Sequence, residues 1–220
     1  QIGITIDGLP NGNSGYGGGA KANRYIDSMN IGSVVVSQGT ADIGSLSNEA
    51  LGGTIDFRTD DPQDERRMRV SATLGQFEAQ RFYGRYDTGL ILGDQVKAWI
   101  SGSYQEATDW GTRTANNNRT HFAGKFVTTG PVKVTGYASY DDTLENNYDQ
   151  IYVDPGSNPI PKADGLTGIW TGIPYYDQNY RQVWATLREN FFTYLKAEGD
   201  LGNGITLKGA AYFHRNTGRG

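Results

Sequence analysis

The sequence predicts an all-β chain: a transmembrane antiparallel β-barrel segment preceded by a smaller unit of short strands and loops. Three observations carry this expectation. From Arg66 onward, apolar and polar residues alternate with period two through about seven consecutive runs of roughly ten residues, the length a tilted strand needs to cross a bilayer. Short turns alternate with long loops along the same stretch. The composition, with 31 Gly, 14 Tyr, 2 Met and 36% hydrophobic residues, favours strands over helices.

Residues 1–61 are rich in Gly and Asn and hold three short strand candidates, at 2–6, 34–37 and 53–59. Between the first two lies PNGNSGYGGGAKAN, a loop by every turn signal. Residues 62–220 carry the long strands. In RMRVSATL, Met68, Val70, Ala72 and Leu74 share one face, opposite Arg67, Arg69, Ser71 and Thr73. RFYGRYD sets Phe82, Gly84 and Tyr86 against Arg81, Tyr83, Arg85 and Asp87. VKAWISGSY sets Ala98, Ile100, Gly102 and Tyr104 against Lys97, Trp99, Ser101 and Ser103. THFAGKFVT places Phe122, Gly124 and Phe126 opposite His121, Ala123 and Lys125, and VKVTGYASYD places Val134, Gly136, Ala138 and Tyr140 opposite Thr135, Tyr137, Ser139 and Asp141. FFTYLKAEGDL and ITLKGAAYFH continue the pattern, with Phe191, Leu195, Leu207, Ala211 and Phe213 on the apolar side. Lipid outside and a polar lumen inside demand this arrangement. A soluble sheet with one wet face would also alternate, but its strands average only about five or six residues. A charge at Ala98 or Gly136 is therefore expected to damage assembly, and one at Ser101 or Thr135 to be mild.

The connections give one orientation. If the first long strand rises from the periplasm, the connections at 76–79, 107–118 and 143–190 all lie outside. Those at 88–94, 128–131 and 202–204 then all lie in the periplasm. Short turns on one side and long loops on the other are the asymmetry of outer-membrane barrels, and a compact soluble domain rarely carries a structureless loop as long as 143–190.

Several function classes fall away. The chain has no Cys, which removes disulfides, zinc–thiolate sites and Cys nucleophiles. A net charge of −4 argues against nucleic acid as a partner. No Ser-His-Asp order or paired-acid motif stands out, so no enzyme, cofactor or metal site is expected. His121 and His214 are isolated, on different strands, and face the lumen. GYGGGA with Asp42 fits a dinucleotide fingerprint only as a string, because no strand directly precedes it and no crossover helix follows. Asp141, Asp142, Glu145 and Asp149 fit no calcium-loop spacing and are expected to form a solvated acidic loop. The opening QIGITIDGLP and the closing FHRNTGRG both read as cuts through a larger protein.

The segment from GITIDGLP through NRYIDSMNIGSVVVSQGTADIGSLSNEALGGTIDFRT resembles the C-terminal half of the plug domain of TonB-dependent outer-membrane receptors. Asp7-Gly8-Leu9-Pro10, Val34 to Val36, Gly39, Gly44 and Ala50-Leu51-Gly52-Gly53-Thr54-Ile55 stand at the family's motif positions. Gln38-Gly39-Thr40 replaces the family's RGP, whose arginine takes part in a plug–barrel ion network, and Ile43-Gly44-Ser45 replaces LYG. Residues 62–220 match the early barrel by pattern only. The resemblance implies part of a plug over 1–61, about seven of twenty-two barrel strands over 62–220, and a Gram-negative outer membrane as the location. It also implies uptake of a small-molecule ligand such as a siderophore or saccharide, driven by a TonB complex that contacts a region before residue 1. A passive porin and a soluble β-rich binding domain are the alternatives.

Ligand candidates lie in the loops. The resemblance makes 10–22 the plug apex, so Asn13 and Tyr16 are candidates there; a solvated Gly loop is the alternative. Trp110, Trp170 and Tyr175, together with Tyr148, Tyr152 and Tyr176, supply flat rings in outer loops that can stack on sugars or aromatic chelates, hold the loop together, or join a membrane-edge girdle. Arg113 and Arg119 can pair with an anionic ligand or remain solvated.

Overall fold

The computed structural model describes residues 2–11, 22–39, 46–47, 52–147 and 166–219. A small sheet comes first. Strands β1 (Gly3–Ile6), β2 (Leu9–Pro10), β3 (Ile31–Gln38) and β4 (Gly53–Thr59) lie in the order β2-β1-β4-β3. β1 runs parallel to β4, and the other pairs are antiparallel. Asp7 and Gly8 turn the chain between β1 and β2 at φ of 50° and 76°, the positive values that a two-residue type I′ hairpin turn requires. The Asp7 carboxylate closes the sheet by accepting from the Thr59 N–H at 2.9 Å and its hydroxyl at 2.6 Å. Gly53 opens β4 at φ +117°, and a Cβ there would sit 2.3 Å from the Ser37 carbonyl oxygen. The sharp entry into β4 therefore needs glycine.

The second sheet has seven strands in sequence order: β5 (Arg66–Leu74), β6 (Gln80–Ile91), β7 (Val96–Thr108), β8 (Asn116–Thr128), β9 (Val132–Asn146), β10 (Ala185–Asp200) and β11 (Thr206–Arg219). Every neighbouring pair is antiparallel. The expected strand number and the alternation of turns and loops are present. The strands are longer than expected, reaching 16 residues in β10. β6 passes through a register shift between Asp87 and Leu90, with Gly89 at φ +67°. This bulge breaks the alternation, so TGLILGD reads as a turn although the turn itself occupies only 92–95. The Thr88 hydroxyl repairs the ladder there by accepting from the Ala98 N–H at 3.1 Å. β9 runs on through DDTLEN, which carries charge on both faces and so reads as loop; the long connection shrinks to 147–184. β3 likewise extends beyond 34–37 at both ends.

The face assignment places Met68, Val70, Leu74, Ile100, Phe122 and Leu195 outward, each more than half exposed. Two furrows of about 700 and 630 Å³ run over this outward face between glycines and rings; they are relief on an apolar surface, with the Phe126 ring lying over Gly136. The opposite face departs from the expected wet lumen. Trp99, Tyr137, Phe192 and Tyr194 are buried there with Ile6, Leu9, Tyr25 and Ile26 in one cluster. Tyr137 stacks on Tyr194 at 5.6 Å and meets Trp99 edge-on at 6.2 Å. The small sheet and residues 22–30 thus cover the inner wall and dry it.

Three expectations change as a result. Ser101 is buried, and its hydroxyl accepts from Asn30 Nδ2 at 2.8 Å, so a charge at Ser101 would not be mild. Asp141 is fully buried in β9, not part of a solvated acidic loop. Arg119 is bound to Asp141 and to the carbonyls of Asn23 and Ile26, and so is not a surface group waiting for an anion.

Candidate functional site

Polar contacts between the small sheet and the wall form the first half of the site. Asp27 caps the short 3-10 turn Ser28–Asn30 by accepting from the Met29 N–H at 2.9 Å. The same carboxylate takes hydrogen bonds from Arg81 on β6 and Ser103 on β7, both at 2.6 Å. Burial pushes its pKa up, but the Ser103 hydroxyl, the Met29 N–H and the Arg81 guanidinium outweigh burial and hold it below the usual carboxylate range. Arg85, fully buried, binds Asp87 through two nitrogens at 3.0 and 2.7 Å and reaches Asp60 at 2.9 Å. Its guanidinium lies 4.6 Å from the Trp99 ring centre, and the Trp99 indole N–H donates to the Asp60 carbonyl at 2.9 Å. Lys125 donates to Asp61 at 2.6 Å and to the Thr59 carbonyl at 3.0 Å.

Five more hydrogen bonds complete the seating. Tyr83 donates to Asn30 Oδ1 at 2.6 Å, and Tyr137 donates to the Tyr25 carbonyl at 2.6 Å. Tyr194 donates to the Asp7 carboxylate at 2.7 Å, and Lys196 donates to the Asp7 carbonyl. Tyr25 also meets His214 through a hydroxyl–imidazole hydrogen bond. A polar cavity of about 410 Å³ lies at the short-turn end between Asp7, Asp56 and Asp61 on one side and Lys125, Lys133 and Lys196 on the other. The acids of the small unit thus face bases of the wall, an ion network assembled from Asp27, Asp60, Asp61, Arg81, Arg85 and Lys125. None of these residues was singled out from the sequence as a site residue. The available signal was the paired acid of DDP just ahead of β5, combined with inward-facing Arg and Lys on consecutive strands.

The remaining motif positions have simpler surroundings. Gly39 follows β3 at φ +91° with open space around it, and Gly52 lies in the turn before β4. Asn13 and Tyr16 lie outside the described residues, as do Gly44, Tyr148, Tyr152 and Asp149.

The connections at the long-loop end form the second half. The turn 75–79, the loop 109–115 and the segment 166–184 touch in series. Arg113, at φ +57°, holds its guanidinium 5.3 Å from the Phe77 ring centre, joining the first two. Asp109 and Arg181 join the second and third, with Arg181 Nε 3.4 Å from Asp109 Oδ1. Gln182 donates to the Thr114 carbonyl. Gly168 presses on Thr114 so closely that a Cβ would lie 2.7 Å from its methyl. Asp109 is fully buried and accepts from the N–H groups of Thr112, Thr114 and Ala115 at 2.6, 3.0 and 3.1 Å. Burial pushes its pKa up, yet those three N–H groups and the Thr112 hydroxyl bring it down to about 2.

Above this base the segment turns its rings outward. Trp170 is 60% exposed and meets Tyr180 edge-on at 5.3 Å. Tyr175 is 76% exposed and meets Tyr176 at 5.3 Å. Trp110 also stands exposed on its loop. The candidates Trp110, Arg113, Trp170 and Tyr175 therefore share one end of the molecule, but Arg113 is already engaged by Phe77. Asp177 steadies the ring-bearing segment by accepting from the Thr171 N–H and hydroxyl, both at 2.8 Å. Among the described residues no cluster of three or more His, Cys, Asp or Glu is placed to hold a metal.

No family model and no curated protein matches the chain. Solved structures do share its fold. The siderophore receptor PiuA of Acinetobacter baumannii aligns with a TM-score of 0.72 at 18% identity, over 97% of this chain and 29% of that one. The ferric-catecholate import receptor Fiu of E. coli K12, in its closed form, aligns at 0.68 and 14% identity over 97% of this chain and 29% of its own. The outer-membrane ferripyoverdine receptor of Pseudomonas aeruginosa, bound to ferripyoverdine, aligns at 0.61 and 16% identity over 93% of this chain and 26% of its own. The chain thus spans under a third of the length of these receptors, and within that span it has their fold: a seven-stranded antiparallel sheet with a small four-stranded sheet seated on one face.

Proposed function

We propose that residues 1–61 are part of the plug and residues 62–220 the first wall strands of an outer-membrane receptor that imports a small ligand. Its host is a Gram-negative bacterium, and energy arrives through a TonB complex that contacts the protein outside this segment. The observation that carries the proposal is the seating of the small sheet: buried Asp27, Arg85 and Asn30 bind it to the inner wall. A passive porin needs an open lumen, and a plug held in this way has to be moved before a ligand passes. Every long strand turns exposed apolar residues outward, which favours lipid over water as the surroundings of that face. The receptor is a transporter and not an enzyme.

The ligand is read at the outer loops. Their exposed rings and amides suit a saccharide or an aromatic chelate, held by stacking and hydrogen bonds; the similar solved receptors named for siderophores and ferric catecholates favour the chelate. Trp170 is the anchor. In the full-length protein, Trp170→Ala is expected to weaken ligand binding by about 1–3 kcal/mol and to leave barrel assembly unchanged, since a loop tip contributes little to it. Titration of the purified variant with a ferric catecholate and with an oligosaccharide series measures this. Unaltered affinity across the series, or loss of folding together with binding, would return Trp170 to a packing role. Uptake that persists in cells lacking the TonB complex would remove the energised mechanism.

A further inference from the structure

Two outer connections carry the exposed rings, Trp110 in 109–115 and Trp170 with Tyr175 in 166–184. Loops on a barrel rim have no sheet to fix them, so something else has to set their mutual geometry. The polar groups of both connections converge on one carboxylate. Asp109 collects three backbone N–H donors from its own loop and stands beside Arg181 of the other. Both side chains are at least 97% buried. Arg181 in turn organises the ring-bearing segment through its backbone: its N–H donates to the Thr167 carbonyl at 2.8 Å, and the Thr167 N–H donates to the Asn179 carbonyl at 2.8 Å. Trp170 lies in the stretch 167–181 that these two ties close, and its ring meets that of Tyr180, the residue before Arg181.

We infer that Asp109 is the positioning residue of the ligand platform: through Arg181 it locks the loops 109–115 and 166–184 into one unit and sets where Trp170 stands. It touches no ligand itself, being covered on all sides. The inference rests on the outer-loop site proposed above, in that a ligand is what the platform serves. The loop's own need for a folded turn would be met by the three N–H contacts alone; a buried arginine from a distant segment is not required for that. Removing either side chain takes from the other an oppositely charged partner that it meets away from water, which is costly for a buried pair.

The test uses the full-length receptor in detergent with four variants: Asp109→Asn, Arg181→Met, Arg181→Lys and Trp170→Ala. Amide hydrogen exchange is read at Thr167 and Arg181, whose N–H groups hold the platform, and at strand amides of β7 and β8 as the control. Asp109→Asn and Arg181→Met are expected to speed exchange at Thr167 and Arg181 by about tenfold or more while leaving the strands unchanged. Arg181→Lys, which keeps the charge, is expected to restore most of the protection. Binding of a ferric tris-catecholate probe should fall by about tenfold in Asp109→Asn and in Trp170→Ala alike. Unchanged exchange in both Asp109→Asn and Arg181→Met overturns the inference, whatever the probe does. If Trp170→Ala loses binding and Asp109→Asn does not, the ligand site stands and the positioning role falls. If the probe binds none of the proteins, the chelate assignment falls, and the exchange data still decide the role of Asp109.

Discussion

Replacing Asp27 by alanine should loosen the plug from the wall without unfolding the barrel. The carboxylate is 1% exposed and makes three contacts of different kinds. Its bond to the Met29 N–H caps a short turn, worth about 1 kcal/mol. The Ser103 hydroxyl would lose its acceptor, which costs about 1 kcal/mol for a part-buried group. Breaking a fully buried ion pair costs about 3–5 kcal/mol, but the Arg81 side chain is 27% exposed and regains water, so about 1–2 kcal/mol is the discounted figure. The total for Asp27→Ala is then about 3–4 kcal/mol, on adding these three contributions. Asp27→Asn keeps an oxygen to accept from the Met29 N–H and turns an amide N–H toward the Ser103 hydroxyl, which can accept it; it should cost chiefly the charge, about 1–2 kcal/mol.

The chain has no cysteine, so a single Ser139→Cys reports on the wall beneath the plug, where Ser139 is buried. Thiol labelling of that reporter during a urea titration of the full-length protein in detergent follows plug release. Heat-modifiable gel migration follows the barrel. The midpoint for labelling should fall in the order wild type, Asp27→Asn, Asp27→Ala, with gel migration unchanged. Equal midpoints for all three proteins would refute the assignment of Asp27 as a plug anchor, and a parallel loss of the barrel would refute its restriction to the plug.

Gly53→Ala should separate β3 from β4, because its Cβ meets the Ser37 backbone oxygen at 2.3 Å and its φ is +117°; a cost of about 3 kcal/mol or more is expected, read as earlier labelling of the same thiol. Ala98→Arg should impair folding into vesicles by about 2–4 kcal/mol, Ser101→Lys should displace the plug through the lost Asn30 contact, and Thr135→Lys should be mild; equal effects at all three positions would overturn the assignment of faces. The junction of the outer loops should resist acid. Asp109 has its pKa lowered in the folded state to about 2, so its contribution is complete above the unfolded value near 4 and is lost only as the pH falls through about 2. Protease cutting within 166–184 that begins at pH 5 would contradict this.

The wall was legible in the sequence because a strand places every second residue on one face, and one face of each long run is mainly apolar. Met68, Val70, Ile100 and Leu195 are outward for that reason. Strand ends were legible only where alternation stops together with a turn signal. At Gly89 a bulge interrupts the pattern inside a continuing strand, and at Asp141 to Asn146 polar residues on both faces conceal a ladder that runs on to Asn146. Asp141 can stay in that ladder because Arg119 neutralises it from the neighbouring strand and His121 Nδ1 lies 3.0 Å from its carboxylate.

The candidate site was less legible, and the reason is physical. Periodicity tells which face a residue occupies but not what covers that face. Ser101 and Thr135 are equivalent by pattern, both small, polar and inward. Only Ser101 lies under Asn30, while Thr135 borders the polar cavity at the short-turn end. That difference is made by partners distant in sequence, as when Tyr194 reaches Asp7 across 187 positions. The same holds for Asp109. Its loop reads as a turn with a good Asx residue, and nothing local marks the arginine at position 181 that shares its burial. A charge in a rim loop is solvated by default, so the sequence favours exposure for both residues. Buried side by side, each meets in the other a charge of opposite sign in place of water.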